Sequence, residues 1–248
     1  MQCKICGQDN PPEARFCAKC GKTLVATVEQ LPVIAVGWSY SNGWRRLWKH
    51  FLMLFLIGII YVLISSVSSV FNVGLGIGDA GAAVASIFSL AYGILLTGPI
   101  GYGVLFAYLK AARDDPLDLK DMFEVFHNYW NAVLASLLVT IIIGIGFVLL
   151  IMPGIIFACK LVFTPYLVVD RKMEVIEAIK ESWRMTGGHA WTVFFIGLLA
   201  IPIGIAGLIC FGVGVIISIM WVTLAFASLY HAVSGSGKAP FQEAVPAA

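Results

Sequence analysis

From Phe51 onward the chain is a series of long apolar runs separated by short polar breaks. A helix rising about 1.5 Å per residue crosses the roughly 30 Å hydrocarbon core of a bilayer in about 20 residues. Phe51–Phe71 fits one crossing. Ala82–Leu109 is longer and has "LLTGPIGYG" in its middle. It reads as one tilted or kinked helix, because Gly and Pro are tolerated inside membrane helices. Ala132–Val169 exceeds one crossing and breaks at "IMPG", where Pro153 and Gly154 supply a turn. Spans are therefore predicted at Ala132–Met152 and Ile155–Val169. Ala190–Val233 contains no Asp, Glu, Lys or Arg and covers two more crossings, with a turn near Gly207–Gly214. The expected fold is all-α: a six-transmembrane-helix bundle.

The polar breaks have a pattern of their own. Aromatic, partly amphipathic stretches precede the first, third and fifth spans: "GWRRLWKHF", "MFEVFHNYWNAV" and "SWRMTGGHAW". Trp44, Trp48, Trp130, Trp183 and Trp191 fall there, and indole rings favour the headgroup region. At a helical period, Leu119, Met122, Phe123, Phe126 and Trp130 share one face, as do Val175, Ile176, Ile179 and Trp183. The simplest architecture is three helical hairpins, each entered through an interfacial amphipathic helix.

Composition supports a membrane class. Hydrophobic residues make up 60% and charged residues 12%, with a mean hydropathy of +0.91. Soluble domains average about 45–50% and about 25%, so one water-facing domain cannot hide this much apolar surface. A net charge of +2 gives no basic surface for nucleic acid. The first thirty residues are polar, with no signal-peptide-like apolar stretch, so Phe51–Phe71 is expected to act as the first membrane signal. Arg45, Arg46, Lys49, Lys110, Arg113, Lys120, Arg171, Lys172, Lys180 and Arg184 all fall on one side of such a bundle, while the opposite loops hold no Lys or Arg. The positive-inside rule then places both termini in the cytosol, in a multi-pass protein of a cell (inner) membrane.

The chain opens with different chemistry. Cys3, Cys6, Cys17 and Cys20 form two Cys-x2-Cys pairs, each followed by glycine. Two residues between thiolates let one tight turn present both sulfurs to one ion. Four thiolates give the closed tetrahedral set of a structural Zn2+ site, and a segment this short gains most of its folding energy from the metal. Rubredoxin-like iron is the rival. A closed four-ligand site leaves no position for catalytic water. Four basic residues and one aromatic are too few for a nucleic-acid face. The expected organisation is a zinc ribbon at 1–22, a linker at 23–37, a membrane domain at 38–233 and a disordered tail at 234–248. Cys159 and Cys210, alone in apolar runs, read as small packing residues.

Within the spans, Lys160 is the one charged residue. An intramembrane ionisable group is a functional-site hypothesis by default. No predicted span holds an acid to pair with it, which leaves a lipid phosphate, water or a freed carbonyl as partner; the alternative is snorkelling toward the outer interface. Pro99, Pro165 and Pro202 each free the carbonyl four residues earlier, at Leu95, Leu161 and Leu198. Lys160, Pro165 and Pro99 are thus candidates for an intramembrane site. His50, His127, His189 and His231 lie near the charged interface and read as interfacial polar groups. No nucleophile elbow, phosphate loop or helical zinc-protease motif occurs, so no catalytic residue is assigned and no enzyme is expected.

Gly98, Pro99 and Gly103, then Pro153-Gly154-Ile155, Pro165-Tyr166, Ala178-Ile179, Ser182-Trp183 and Gly188-His189 form a pattern. Over about Trp38 to Val233 it resembles a bacterial superfamily of six-helix membrane proteins of unknown function. It is similar to the membrane domain attached to some glycerophosphodiester phosphodiesterases. The N-terminus separately resembles the zinc-ribbon modules of many bacterial membrane proteins. The resemblance implies a six-helix fold and transfers no catalytic residue, because the phosphodiesterase chemistry belongs to a separate barrel domain.

The functional expectation is a non-enzymatic scaffold or regulator whose ribbon meets a cytosolic protein partner. Alternatives are a transporter or channel for a small or lipidic anion and an accessory to lipid or envelope metabolism. Topology gives the first test: reporter fusions after Gly21 and after Lys238 should both report cytosol, and one outside signal would break the even span count. Metal analysis gives the second. The purified protein should hold about one zinc per chain, and a Cys17→Ser/Cys20→Ser variant should lose it while the membrane domain inserts unchanged.

Overall fold

The chain reverses direction at short, glycine-lined corners, and these set the order of its helices. The computed structural model describes residues 8–9, 18–20, 34–75, 79–209 and 213–236. Helix α1 is Val36–Lys49, α2 is Phe51–Leu75 and α3 is Asp79–Tyr92. A π-helical turn, Gly93–Thr97, leads directly into α4, Gly98–Arg113. A 3₁₀ helix, Leu119–Asn128, precedes α5, Tyr129–Leu149. Then follow α6 (Ile151–Leu161), α7 (Thr164–Asp170), α8 (Val175–Thr186), α9 (Ala190–Ile209) and α10 (Val213–Ser236). No β-strand occurs among the described residues. The ribbon apart from residues 18–20 and 8–9, most of the linker, the tips at 76–78 and 210–212, and the tail from 237 lie outside them.

Six stretches are long and apolar enough to cross a membrane: Phe51–Val70, Ala83–Arg113, Leu119–Leu149, Ile151–Asp170, Ala190–Ile209 and Gly214–Gly235. The fold is that of a multi-pass, all-helical membrane protein. The second stretch is continuous and carries the π turn just before Pro99, where a missing N–H would interrupt a regular helix.

Two boundaries differ from the sequence expectation. The reversal between the third and fourth spans is at Leu150, which is extended (φ −168°, ψ 152°), not at Pro153–Gly154. Pro153 is the third residue of α6, where no intrahelical N–H bond is lost. Gly154 does help the corner, through close approach. A side chain on it would strike the Phe147 ring, and one on Gly146 would come within 2.9 Å of Gly154 Cα. The α9–α10 corner repeats the device, with Gly207 against Ser218 and Gly214. The fourth span is also not one helix from Ile155: it breaks at Val162–Phe163, and Pro165 starts α7 rather than kinking it.

The three amphipathic segments are present, and each packs part of its surface inward while most of its Trp and Phe residues point outward. In α8 the packed face is Val175, Ala178, Ser182 and Thr186, while Ile176 and Trp183 are exposed. In α1 it is Ser39, Tyr40, Asn42, Gly43 and Leu47, with Trp44 and Trp48 outward. In the 3₁₀ helix it is Met122 and Val125. The three-residue period there stacks Phe123, Phe126 and Tyr129 into an outward ridge, with ring spacings of 6.1 and 5.7 Å. In lipid, exposed apolar side chains cost little, so small residues take the protein side and let backbones approach.

Packing is concentrated at one end. Half of the Gly214–Gly235 stretch is buried, against 11% of Phe51–Val70. α1 lies along α10, the 3₁₀ helix along α4, and α8 along α6 and α7. The main core joins Tyr108 and Leu109 of α4, Phe163 just before α7, Tyr166 of α7, and Leu224 and Tyr230 of α10. α4 and the 3₁₀ helix meet at Gly103, where any Cβ would overlap the Met122 carbonyl. Gly103→Ala should therefore destabilise the purified protein by about 1–3 kcal/mol, the range of overpacked cores. Gly58→Ala, into open space, should leave the thermal midpoint nearly unchanged in the same detergent.

Candidate functional site

α4 ends on Arg113 and α7 on Asp170 because each apolar run stops there in a polar break. The two ends meet. Arg113 Nη1 and Nη2 donate to Asp170 Oδ1 and Oδ2 at 2.6 and 2.7 Å, a bidentate fork. The Tyr230 hydroxyl of α10 donates to the same carboxylate at 3.1 Å. The Arg113 guanidinium lies 6.0 Å from the centre of the Tyr230 ring, whose other neighbours are Tyr166, stacked at 5.0 Å, and Phe163, edge-on at 5.6 Å. One carboxylate thus joins the second helix of each hairpin.

A second charge cluster joins α1 to the end of α4. Asp114 caps α4 in the left-handed region (φ 67°), and its N–H bonds the Ala111 and Lys110 carbonyls. Aspartate tolerates this conformation better than most side chains. Its carboxylate then meets Lys49 at 2.6 Å, Arg46 at 2.5 Å and His50 Nε2 at 3.2 Å. The Lys49 ammonium, with His50 and Arg46, holds the Asp114 carboxyl well below the usual carboxylate range. Lys110–Asp121 (2.8 Å) and Lys172–Glu124 (3.3 Å) tie in the 3₁₀ helix. Arg184 lowers the Glu181 carboxyl by its hydrogen bonds on α8.

α1 is further fixed by uncharged bonds. The Tyr40 hydroxyl donates to the Ile196 carbonyl of α9 at 2.8 Å, and burial pushes that phenol up to about 12, so it remains a donor at neutral pH. Trp221 Nε1 donates to the Tyr40 carbonyl at 2.9 Å, and Asn42 donates to Ser228 at 2.9 Å and to the Ala112 carbonyl at 3.3 Å.

The candidates drawn from sequence lie elsewhere. The Lys160 ammonium sits over the Trp183 ring of α8, 5.6 Å from its centre, rather than turning toward the Pro153 end. Its partner is an indole face, not a carbonyl. Its own carbonyl, and not that of Leu161, receives the Ser182 and Thr186 hydroxyls at 2.8 and 3.3 Å where α6 breaks before Pro165. The Leu95 carbonyl, four residues before buried Pro99, accepts the Tyr129 hydroxyl at 2.6 Å. Around Pro202, carbonyls of Ile196 and Ile203 accept from Tyr40 and Ser218. No hydrogen bond or ring contact links Pro99 to Lys160 or Pro165 among the described residues.

Of the four ribbon cysteines, Cys20 is exposed, and Cys3, Cys6 and Cys17 lie outside the described residues. Among the described residues, no three His, Cys, Asp or Glu side chains gather as a metal site. The donor chemistry of two Cys-x2-Cys pairs still suits zinc. Sequence reasoning missed the Arg113–Asp170–Tyr230 junction. Asp170 falls one residue beyond the predicted span, and Arg113 counted only as loop charge. The usable signal was an acid directly ending an apolar run, in a chain with few acids.

No family model, no curated protein and no solved structure matches the chain. The resemblance to the six-helix bacterial family therefore gains no support from comparison.

Asp170→Asn should cost about 2–3 kcal/mol, below the 3–5 kcal/mol of a fully buried pair because the junction is partly solvated. Asp114→Asn, at the surface of its cluster, should cost less. Asp114 also sets a pH dependence. A depressed carboxyl contributes stability above its unfolded value near pH 4 and loses it as pH falls toward the folded value. The wild-type melting temperature should fall on acidification below about pH 4, more steeply than that of Asp114→Asn.

Proposed function

We propose that this multi-pass membrane protein is a non-enzymatic scaffold or regulator. It displays an N-terminal zinc ribbon at the cytosolic face of a bacterial inner membrane, where the ribbon contacts a protein partner. The observation that carries this reading is the fastening of α1. The helix after the linker is bonded to α9, α10 and the α4 terminus through Tyr40, Asn42 and the Asp114 cluster. A fastened α1 gives the linker one fixed end at the bundle, from which the ribbon can reach a partner. Four cysteines in two Cys-x2-Cys pairs supply that module's structural metal site.

The transport reading has weaker support. The carbonyls near Pro99 and Pro165 are occupied by Tyr129, Ser182 and Thr186, and Lys160 by Trp183. These contacts suit packing better than an ion path. A role in lipid or envelope metabolism rests on the family resemblance alone.

Crosslinking in intact cells tests the scaffold reading. A defined partner should crosslink to the wild type and be lost when residues 1–30 are deleted or in Cys17→Ser/Cys20→Ser. Crosslinks unchanged by either alteration would overturn it. Flux of a small anion into proteoliposomes, abolished by Lys160→Ala, would favour the transport reading instead.

A further inference from the structure

Lys160, the charged side chain inside α6, has no acid to answer it. Among the described residues it forms no ion pair, and its ammonium lies over the Trp183 ring, 5.6 Å from the centre. An indole face attracts a cation but brings no negative charge. Lys180 of α8 is exposed and likewise forms no ion pair among the described residues. On a helix turning about 100° per residue, Ile176, Lys180 and Trp183 lie within about 60° of one another, and Ile176 and Trp183 are exposed with Lys180. One outward indole thus has an unanswered ammonium over its ring and another one turn before it. The neighbouring acids are turned away. Glu181 is held by Arg184 at 2.7 Å and Arg171 at 3.7 Å. It lies about 160° round the helix from Trp183, and Glu177 about 120°.

The packing of α8 sets the depth of Lys160. α8 carries Lys180, Glu181 and Arg184, so it lies where headgroups and water can solvate charge. Its Ser182 and Thr186 hydroxyls donate to the Lys160 carbonyl, which puts the lysine at that same level. α6 ends one residue later. In the other direction the Lys160 face of α6 is apolar. Ile156 and Met152, four and eight residues earlier on that face, are both exposed. The surface therefore has two positive charges and an indole at the boundary, and an apolar track leading away from them. A phospholipid carries its groups in the matching order: phosphate at the boundary, acyl chain beneath.

We propose that Lys160, Lys180 and Trp183 bind the phosphate of an anionic phospholipid, whose acyl chain lies along Ile156 and Met152. A net negative head is specified because a zwitterionic one brings its own ammonium toward two unanswered cations. A lipid is specified over a free phosphate because only a lipid uses the apolar track. The scaffold reading does not depend on this site, which concerns the bundle and not the ribbon.

The test uses the full chain in phosphatidylcholine nanodiscs containing either of two photoactivatable probes of equal chain length, a phosphatidylglycerol or a phosphatidylcholine. The phosphatidylglycerol should label peptides of Ile151–Leu161 and Val175–Thr186 at least about tenfold more than the phosphatidylcholine, as two lysines near an anionic head would give. Lys180→Gln alters an exposed side chain, so the variant should keep the wild-type melting temperature and lose labelling about fivefold, the share of one lysine. Lys160→Gln should lose at least as much, and Lys160→Arg, which keeps a cation over the indole, should restore it. Lys120→Gln removes an exposed lysine of the 3₁₀ helix and should leave labelling unchanged. Equal labelling by the two probes would overturn the proposal, as would labelling that survives Lys180→Gln. An equal loss in Lys120→Gln would overturn it in favour of diffuse surface charge, and displacement of the probe by inorganic phosphate in favour of a free-anion site.

Discussion

Close approach of small-residue faces is the interaction on which the rest of this structure depends. Gly43 lies against the Ala225 backbone, Gly103 against the Met122 carbonyl, and Ala178, Ser182 and Thr186 face the span that α8 covers. Each contact seats one amphipathic segment on the second helix of a hairpin. With those segments seated, the charged ends of α4 and α7 come together, and Asp170 can be shared by Arg113 and Tyr230. A larger residue at Gly103 would lift the 3₁₀ helix and with it the Lys110–Asp121 pair.

The same rule distributes the aromatic residues. Trp44, Trp48, Phe123, Phe126, Trp130 and Trp183 point outward, where a water-soluble protein would hide them. Lipid solvates such side chains, and the indole and phenyl rings suit the boundary between headgroups and tails. The bundle is accordingly two-part in character. One end is packed, charged and cross-bonded; the other presents Val148, Leu149, Leu208 and Ile209 at the corners of its hairpins. Polar groups freed by helix breaks are met from within: Tyr129 at Leu95, Ser182 and Thr186 at Lys160. Trp38 Nε1, the Tyr102 and Thr164 hydroxyls and His189 Nδ1 depart from this habit, buried without a hydrogen-bond partner.

Much of the architecture was legible in the sequence. Six apolar runs of membrane-crossing length and three aromatic polar breaks led to six candidate spans and three amphipathic segments, because run length and charge exclusion are one-dimensional properties. Corner positions were less legible. Pro153 marked the right neighbourhood, but a proline in the first turn of a helix and a proline in a turn look alike in sequence. The packed faces were not specified: Met122 and Val175 of the shared apolar faces are buried, while Phe123, Phe126, Ile176 and Trp183 point outward. Hydrophobic periodicity says which face is greasy, and only the surroundings say whether that face meets protein or lipid.

The site residues divide along the same line. By itself the sequence determined the membrane class, the number of candidate spans, the charge-poor interior and a metal-type cysteine spacing, since each depends on residues close together in the chain. Only the tertiary structure decided that Arg113, Asp170 and Tyr230 share one junction and that Lys160 rests on Trp183. Those relations join residues from 23 to 117 positions apart, through helix packing angles that no local pattern encodes.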